Sequence, residues 1–324
     1  MQELTPQLVR SLSRHGVLLA LAALILLGYA RYDHFLGAYN VLSVLRYNAM
    51  FALVALGMAY VIMTGGFDLS VGSTAALGSV VAALLSPYGA VPGLFGGLAA
   101  GLAVGTVNAV VVTRLDVPPF IATLATMLAA SGCALLLAGN QSVAVSYETG
   151  FVELGQGDVL GFPIPAWIAG IAYLLGSVAL NFTAWGRTVL AVGGSEEAAR
   201  LMGLPADRAK GSVYVISGGL AGLAGVILAA QFGAGQPIEG VGWELFAIAS
   251  VVVGGTLLTG GVGSVGATLA GVLLLGLIFN ILNFENGLGW ISLSAYWQSV
   301  ARGAFLLLVV VIQARLVART EEPD

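Results

Sequence analysis

Residues 65–73 read Gly-Gly-Phe-Asp-Leu-Ser-Val-Gly-Ser, and they place one carboxylate, Asp68, between two long apolar stretches. Paired glycines favour a break in helical structure, because glycine destabilises the interior of a helix. A carboxylate at the centre of a bilayer costs about 2.5 to 3.5 kcal/mol on insertion scales, so Asp68 needs a partner, water or a position near the surface. The stretch therefore predicts a broken membrane segment that is held by specific polar contacts.

The composition indicates a membrane protein. Hydrophobic side chains make up 58% of the 324 residues and charged side chains only 9%, whereas soluble domains carry about 25% charged residues. The 46 glycines suit transmembrane helices that pack closely. The net charge of −4 includes no basic run that could hold a nucleic-acid backbone, so nucleic acid is not an expected partner.

The chain offers little material for catalysis or metal binding. Cys133 is the only cysteine, and His15 and His34 are the only histidines, so we expect no disulfide and no metal site. No phosphate-binding Gly-x-x-x-x-Gly-Lys-Ser/Thr loop occurs, and the only lysine, Lys210, follows Asp-Arg-Ala. The sequence therefore predicts a protein that is not an enzyme and carries no cofactor of its own.

Ten apolar stretches could each supply the roughly 20 helical residues that cross a hydrocarbon core. We therefore predict an all-α polytopic membrane protein with about ten transmembrane helices in a single domain over residues 1–324. The predicted spans are residues 16–35, 47–64, 70–86, 91–113, 119–138, 165–183, 212–232, 243–259, 263–283 and 294–314.

The basic residues predict the orientation, since cytoplasmic loops are enriched in lysine and arginine. Basic residues precede the first span, follow the fourth and tenth, and lie between the sixth and seventh. Ten helices place all four groups on one side, so both termini are expected in the cytoplasm. Residues 139–164 lie in a long stretch without basic residues and are predicted to be an external excursion. Arg31 and Arg46 contradict the rule, because they fall in the first external loop.

Two glycine-containing breaks occupy corresponding positions in the two halves of the chain. Thr-Gly-Gly occurs at residues 64–66 and again at residues 259–261, and Val-Gly follows each time. Non-helical backbone at membrane depth is tolerated only where it is buried in protein or lines a cavity. Paired broken segments point to a translocation site, so we predict an inverted-repeat core with broken helices.

Two roles are open for Asp68. Asp68 and Ser70 could both accept hydrogen bonds from backbone amides at the start of the next helix. Asp68 could instead be the coupling carboxylate of an ion-driven secondary transporter of a small polar solute, for which Glu244 and Glu285 would be further candidates. The structural role is favoured, because no second acid or histidine lies nearby in the sequence.

Residues 186–211 form a charged loop. Two glutamates after Ser195, followed by two alanines, predict a short cytoplasmic helix with acids in its first turn, where the helix dipole favours negative charge. Such a helix can dock in a groove of another protein, and a merely solvated loop is the alternative.

Six polar residues could form a path for a neutral polyol. Amides donate and accept hydrogen bonds without requiring a charged partner, but each could equally join helices at about 0.6 kcal/mol per contact. The candidates are Asn48, Asn108, Thr123, Gln141, Asn280 and Asn283.

Three motifs resemble the ribose-type family of sugar permeases from bacterial ABC importers. Residues 65–73 resemble the family signature, with Phe67 where isoleucine is usual, and residues 244–271 are similar to galactofuranose-type permeases in particular. The signature residues are Gly65, Gly66, Phe67, Asp68, Ser70 and Gly72. The charged loop resembles the Glu-Ala-Ala coupling loop of ABC importers, and its candidate coupling residues are Glu196, Glu197, Ala198, Ala199, Gly203, Leu204 and Pro205.

The resemblance implies a subunit that imports a pentose or hexose, furanose forms included, across the bacterial inner membrane. A separate ATPase subunit would bind ATP and dock on the charged loop, a second permease copy or paralogue would complete the pore, and a periplasmic sugar-binding protein would deliver substrate. Branched-chain amino acids and nucleosides are the rival substrates. Family members commonly carry Arg-Gly in the fifth helix, where this chain has Ser131 and Gly132, so the role of that arginine does not carry over.

Overall fold

A computed structural model describes residues 6–288 and residues 297, 300, 303 and 304. The regular structure of this part is almost entirely helical, which confirms the predicted all-α class. The helices are α1 Pro6–Arg31, α2 Ala38–Met63, α3 Val71–Leu85, α4 Ala90–Arg114, α5 Pro119–Ala138, α6 Glu153–Gln156, α7 Ile164–Phe182, α8 Ala184–Gly194, α9 Glu196–Leu201, α10 Ala206–Phe232, α11 Trp243–Val253 and α12 Val265–Leu288. Four two-residue strands are β1 Val143–Ala144, β2 Asp158–Val159, β3 Phe162–Pro163 and β4 Ala234–Gly235.

Seven helices of the described part are long and apolar enough to cross a membrane. They are α2, α3 with the 3-10 turn that follows it, α4, α5, α7, α10 and α12. The prediction of a continuous helix over residues 243–259 is wrong, because α11 ends at Val253 and Gly255 has a left-handed φ of +85°. The span predicted at 294–314 lies almost entirely outside the described residues, so the count of ten stays a prediction.

Helix α10 occupies the centre of the fold and packs on α2, α3 and α4. Its contact with the antiparallel α4 is made by glycines on both sides. A Cβ added to Gly101 would overlap the carbonyl oxygen of Gly218 and lie 2.7 Å from the Cα of Gly222. A Cβ added to Gly218 would lie 2.7 Å from the Cα of Gly105. The two backbones therefore touch, which small residues alone permit.

The two ends of α10 contact different parts of the chain. At its last turn, the Gln156 amide donates to the Gln231 carbonyl oxygen at 3.0 Å, and β4, which follows α10, pairs with β1. At its first turn, Lys210 forms an ion pair with Glu196 of α9. The predicted external excursion and the predicted cytoplasmic loop thus lie at opposite ends of a 27-residue helix that is about 40 Å long.

Both arginines that contradict the orientation rule are paired with acids. Arg31 Nε lies 2.8 Å from Glu285 Oε1, and Arg46 Nη2 lies 2.6 Å from Asp158 Oδ1. Asp158 belongs to the excursion, so Arg46 lies at that end of the fold. Each of the two arginines therefore has a partner of opposite charge from a distant part of the chain.

We expect Gly101→Ala to destabilise the protein, because the new methyl group forces α4 and α10 apart. Overpacking of this kind costs about 1 to 3 kcal/mol. Gly132→Ala is the matched control, since a Cβ at this position on α5 meets nothing within 4 Å. Thermal unfolding in detergent should show a lower midpoint for Gly101→Ala and an unchanged one for Gly132→Ala. Equal midpoints would show that the helix contact tolerates a side chain.

Candidate functional site

Asp68 is fully buried in the loop between α2 and α3. One of its carboxylate oxygens accepts hydrogen bonds from the Ser70 amide at 3.1 Å and the Ser70 hydroxyl at 2.6 Å. The other accepts from the Ser217 hydroxyl on α10 at 2.8 Å. No cation among the described residues pairs with it. Hydroxyl and amide donors therefore replace the hydration that the carboxylate lost on burial.

Asn108 extends this network from α4 to α5. Its amide nitrogen donates to the Ser70 hydroxyl at 2.9 Å, and its amide oxygen accepts from Thr126 at 2.6 Å. Side chains from α4, α5, α10 and the loop before α3 are thereby joined around Asp68. The hydrogen bonds come from hydroxyl and amide groups, and no second acid or histidine among the described residues takes part, so they favour the structural role of Asp68 over an ion relay.

The capping role predicted for Ser70 is wrong. Ser70 is the N-cap residue of α3, but its side chain accepts no bond from the first turn of that helix. Its hydroxyl instead donates to Asp68. The charged acceptor makes the stronger hydrogen bond, and this explains why the side chain turns towards the carboxylate.

The short helix predicted after Ser195 is confirmed as α9. The Ser195 hydroxyl accepts a hydrogen bond from the Ala198 amide at 3.2 Å, and Glu196 and Glu197 occupy the first turn. The helix ends at Leu201, and Gly203, two residues later, has a φ of +75° that lets the chain reverse. A serine cap and acidic first turn stabilise so short a helix.

The two glutamates of α9 have different surroundings. Glu196 is bound to the protein itself, since its carboxylate oxygens lie 2.8 Å from Lys210 Nζ and 2.9 Å from Arg200 Nη2. Partial burial raises the pKa of Glu196, but these two cations outweigh it and hold that pKa below its ordinary value. Glu197 is exposed, and no ion pair joins it to another described residue. Glu196 therefore positions the helix, while Glu197 is available to a partner.

An exposed apolar surface adjoins Glu197. The side chains of Leu201 and Met202 are 83% and 68% exposed, and Ala198 is exposed beside them. We call Glu197, Ala198, Leu201 and Met202 the docking face. Large apolar side chains exposed on a charged segment outside the membrane-spanning helices are candidates for contact with a protein partner.

The remaining predicted coupling residues divide into two groups. Ala199 is buried, and Leu204 packs against the main core. Gly203 and Pro205 are exposed at the turn into α10. Buried Ala199 and partly buried Leu204 fix α9 on the fold, and the exposed pair lies at the end of the docking face.

A cavity of about 1130 Å³ lies between α2, α11 and α12. Aromatic rings form one wall, where the Phe51 ring centroid lies 4.8 Å from that of Trp243 and 4.7 Å from that of Phe246. Small-molecule sites commonly combine such apolar walls with a few polar groups.

Polar groups line the same cavity towards the external excursion. The Arg46–Asp158 ion pair and Glu239 lie along this part of the lining. Gln231 also lines the cavity, and its buried side-chain oxygen has no hydrogen-bond partner within the described structure. A buried acceptor without a partner is costly, and a rotation of the Gln231 side chain into the cavity would let a ligand that donates a hydrogen bond satisfy it.

Three of the six predicted path residues, Asn48, Asn280 and Asn283, line this cavity. The Asn48 amide donates to the Val44 carbonyl oxygen at 2.8 Å. Asn280 and Asn40 exchange hydrogen bonds of 2.8 and 3.2 Å between α12 and α2. Asn48 and Asn280 therefore serve the protein's own structure.

The other three predicted path residues lie elsewhere. Asn108 belongs to the Asp68 network. Thr123 is buried and donates to the Pro119 carbonyl oxygen of its own helix at 2.8 Å. Gln141 is exposed just beyond the end of α5. None of the three lines the cavity that the described residues form.

Sequence reasoning missed Ser217, Thr126 and the aromatic wall. Ser217 is a hydroxyl within the apolar helix α10 directly before Gly218, and a polar residue of this kind is a usable signal of a buried partner. The aromatic residues gave no such signal, because apolar side chains are expected throughout a membrane protein.

Residues 40–310 match a family model. Its description is "Branched-chain amino acid transport system / permease component". The chain therefore belongs to this family of transport-system permeases and is a multi-pass membrane protein. The ribose import permease protein of Escherichia coli (strain K12) is 38% identical over 304 residues, or 91% of this chain and 92% of that protein. No solved structure matches the chain.

Two further relatives support the same assignment. The ribose import permease protein of Bacillus subtilis (strain 168) is 37% identical over 303 residues, which cover 93% of this chain and 92% of that protein. The L-arabinose transport system permease protein of Escherichia coli (strain K12) is 37% identical over 267 residues, which cover 81% of this chain and 79% of that protein. The resemblance to ribose-type permeases is thereby confirmed.

We expect Asp68→Asn to retain membrane insertion and uptake, because an amide can keep an acceptor on Ser70 and offer a donor to Ser217. Asp68→Leu removes every acceptor and leaves buried donors unpaired, at about 1 to 3 kcal/mol for each group. Yield in membranes and thermal unfolding should fall for Asp68→Leu alone. Loss of uptake by an Asp68→Asn protein of normal yield and stability would restore the ion-coupling role.

Proposed function

We propose that this chain is the permease subunit of a bacterial ABC importer that carries a monosaccharide through the inner membrane. The observation that carries the proposal is the docking face, which is separated by the length of α10 from the excursion and the polar part of the cavity. An importer that is powered by a cytoplasmic ATPase needs a contact surface for that ATPase at one end and a substrate cavity that opens towards the other end. This subunit has both features. Both termini are assigned to the cytoplasm, the side of the docking face.

The energy comes from a separate ATPase subunit that binds ATP, since the sequence has no nucleotide-binding motif. The ATPase subunit is expected to have a groove with an apolar surface that contacts Leu201 and Met202 and a basic side chain that pairs with Glu197. A second permease, either a copy of this chain or a related one, completes the pore. A periplasmic sugar-binding protein delivers substrate at residues 139–164.

A sugar is the substrate best supported by the cavity and the relatives. Aromatic rings offer flat apolar surfaces to the ring of a pentose or hexose, and the unpaired oxygen of Gln231 suits a hydroxyl donor. The relatives are named for ribose and L-arabinose, whereas the family description mentions branched-chain amino acids. The amino-acid reading is less well supported, because the Asp68 signature resembles that of sugar permeases.

The ion-coupled alternative is not favoured. Asp68 is enclosed by hydroxyl and amide donors, and Glu285 is occupied by Arg31 and by the Tyr32 hydroxyl at 2.6 Å. Glu244 remains as a partly buried acid beside Gly72. These acids do not form a connected relay among the described residues.

We expect Glu197→Lys to abolish copurification of the ATPase subunit and ATP-driven uptake, because it places like charges at the contact. Membrane insertion should be normal, since Glu197 makes no ion pair within the described fold. Asp33→Lys is the matched control, because it makes the same reversal of charge at an exposed site outside the docking face, the excursion and the cavity. Normal uptake by Glu197→Lys would refute the docking face.

Gln231→Leu should raise the sugar concentration needed for half-maximal uptake while leaving ATPase copurification unchanged. One lost hydrogen bond corresponds to about 0.5 to 1.5 kcal/mol, or a roughly two- to tenfold change in affinity. Asn181→Leu also replaces an amide by leucine, at an exposed position outside the cavity and the excursion, and should have no effect. Equal uptake curves for both variants would remove Gln231 from the sugar path.

A further inference from the structure

Three segments of the chain meet at backbone level beside α9. The Gly261 amide donates to the Met63 carbonyl oxygen at 3.0 Å, and this bond joins the loop after α11 to the end of α2. Gly193, near the end of α8, fits against both. A Cβ at Gly193 would overlap the Met63 carbonyl oxygen and the Gly261 amide. The end of α8 therefore lies directly on the backbone of two other segments.

The same contact continues through neighbouring glycines. A Cβ added to Gly260 would lie 2.7 Å from the Gly65 amide, and one added to Gly261 would lie 2.8 Å from the Gly194 Cα. Gly65, Gly260 and Gly261 all have left-handed φ values, between +78° and +88°, which glycine adopts without strain. We call Met63, Gly65, Gly193, Gly260 and Gly261 the glycine junction.

Each arm of the glycine junction leads to a different part of the molecule. Gly193 and Gly194 are followed directly by Ser195, the cap of α9. Met63 ends α2, which carries Phe51 of the cavity wall. Gly261 follows α11, which carries Trp243 of the same wall. The docking helix is thus connected through one backbone contact to both helices that form the aromatic wall of the cavity.

The ion pairs of α9 provide a second but softer connection. Glu196, Arg200 and Asp207 have side chains that are 38 to 52% exposed, and exposed ion pairs contribute little energy and can rearrange. Backbone contacts without intervening side chains cannot adjust by a change of rotamer, and close-packed contacts transmit displacement. The glycine junction is therefore the stiffer of the two connections.

We infer that Gly193 and Gly261 are positioning residues that pass a displacement of the docking face to α2 and α11 and so change the cavity. This inference rests on the proposed function, because the displacement comes from an ATPase subunit. A shift of α9 pushes Gly193 against Met63 and Gly261 together. The two helices that form the aromatic wall, α2 and α11, then move in one step rather than independently.

A cysteine reporter in the cavity tests this inference on the complex with the ATPase subunit. Cys133→Ser removes the only cysteine, and Ser43→Cys places a thiol at an exposed position of the cavity lining. The rate of labelling by a water-soluble maleimide is measured with and without ATP and vanadate. We expect nucleotide to change this rate in the reporter protein.

Gly193→Ala is expected to keep copurification of the ATPase subunit but to abolish the nucleotide effect on labelling, with at least a tenfold loss of uptake. Gly194→Ala is the matched control, because a Cβ at this adjacent position meets nothing within 4 Å. It should respond to nucleotide as the reporter protein does. A merely structural defect would instead lower yield and ATPase binding in Gly193→Ala.

Several results would overturn the inference. These are a full nucleotide response in Gly193→Ala, an equal loss in Gly194→Ala, or no response in the reporter protein itself. If Gly193→Ala does not insert, Gly263→Ala replaces it, since its Cβ would press on the mobile end of Met63 at 2.5 Å. We expect a reduced nucleotide response in Gly263→Ala, and an unchanged response would count against the glycine junction.

Failure of the unmodified chain to bind any ATPase would refute the proposed function, and the inference with it.

Discussion

The enclosed carboxylate of Asp68 constrains the arrangement of the helices around it. In a bilayer a buried charge cannot draw on solvent, so the protein must provide every hydrogen-bond donor from fixed positions. Ser70 and Ser217 meet this requirement from the loop before α3 and from α10, and the Asn108 amide on α4 adds a longer hydrogen bond of 3.4 Å to the carboxylate. A displacement of any of these elements would leave the carboxylate partly unsatisfied. One acidic side chain thus fixes the relative positions of elements that are far apart in sequence.

Local patterns predicted the all-α class, the helix after Ser195 and the permease family, because composition, capping and short motifs are properties of neighbouring residues. The cavity was only partly predictable. Asn280 looked like a path residue, but its amide is paired with Asn40, more than two hundred positions earlier in the chain. The end of α11 at Val253 was missed because the apolar run continues past it. The pattern of apolar residues along the chain indicates which segments are buried. The hydrogen-bond partner of a side chain and the point where a helix breaks are decided by tertiary contacts.

Glycine has two opposite uses in this structure. Between α4 and α10 it allows two helices to lie backbone against backbone, which fixes the centre of the fold. In the glycine junction it allows turns with left-handed φ and joins three segments without side chains. The first use depends on a regular helix surface and the second on its interruption. Both uses rely on the absence of a Cβ atom, so the abundance of glycine reflects packing constraints rather than disorder.

The excursion is held to α10 by the β1–β4 pair and by the Gln156 amide, and the opposite end of α10 holds α9 through Lys210. Because α10 is packed tightly along most of its length, it is expected to move as a rigid helix and not to bend. Under the proposed function, the binding protein would contact one end of this helix and the ATPase subunit would contact α9 at the other end. A rigid α10 would then hold the two partner sites at a fixed distance from each other.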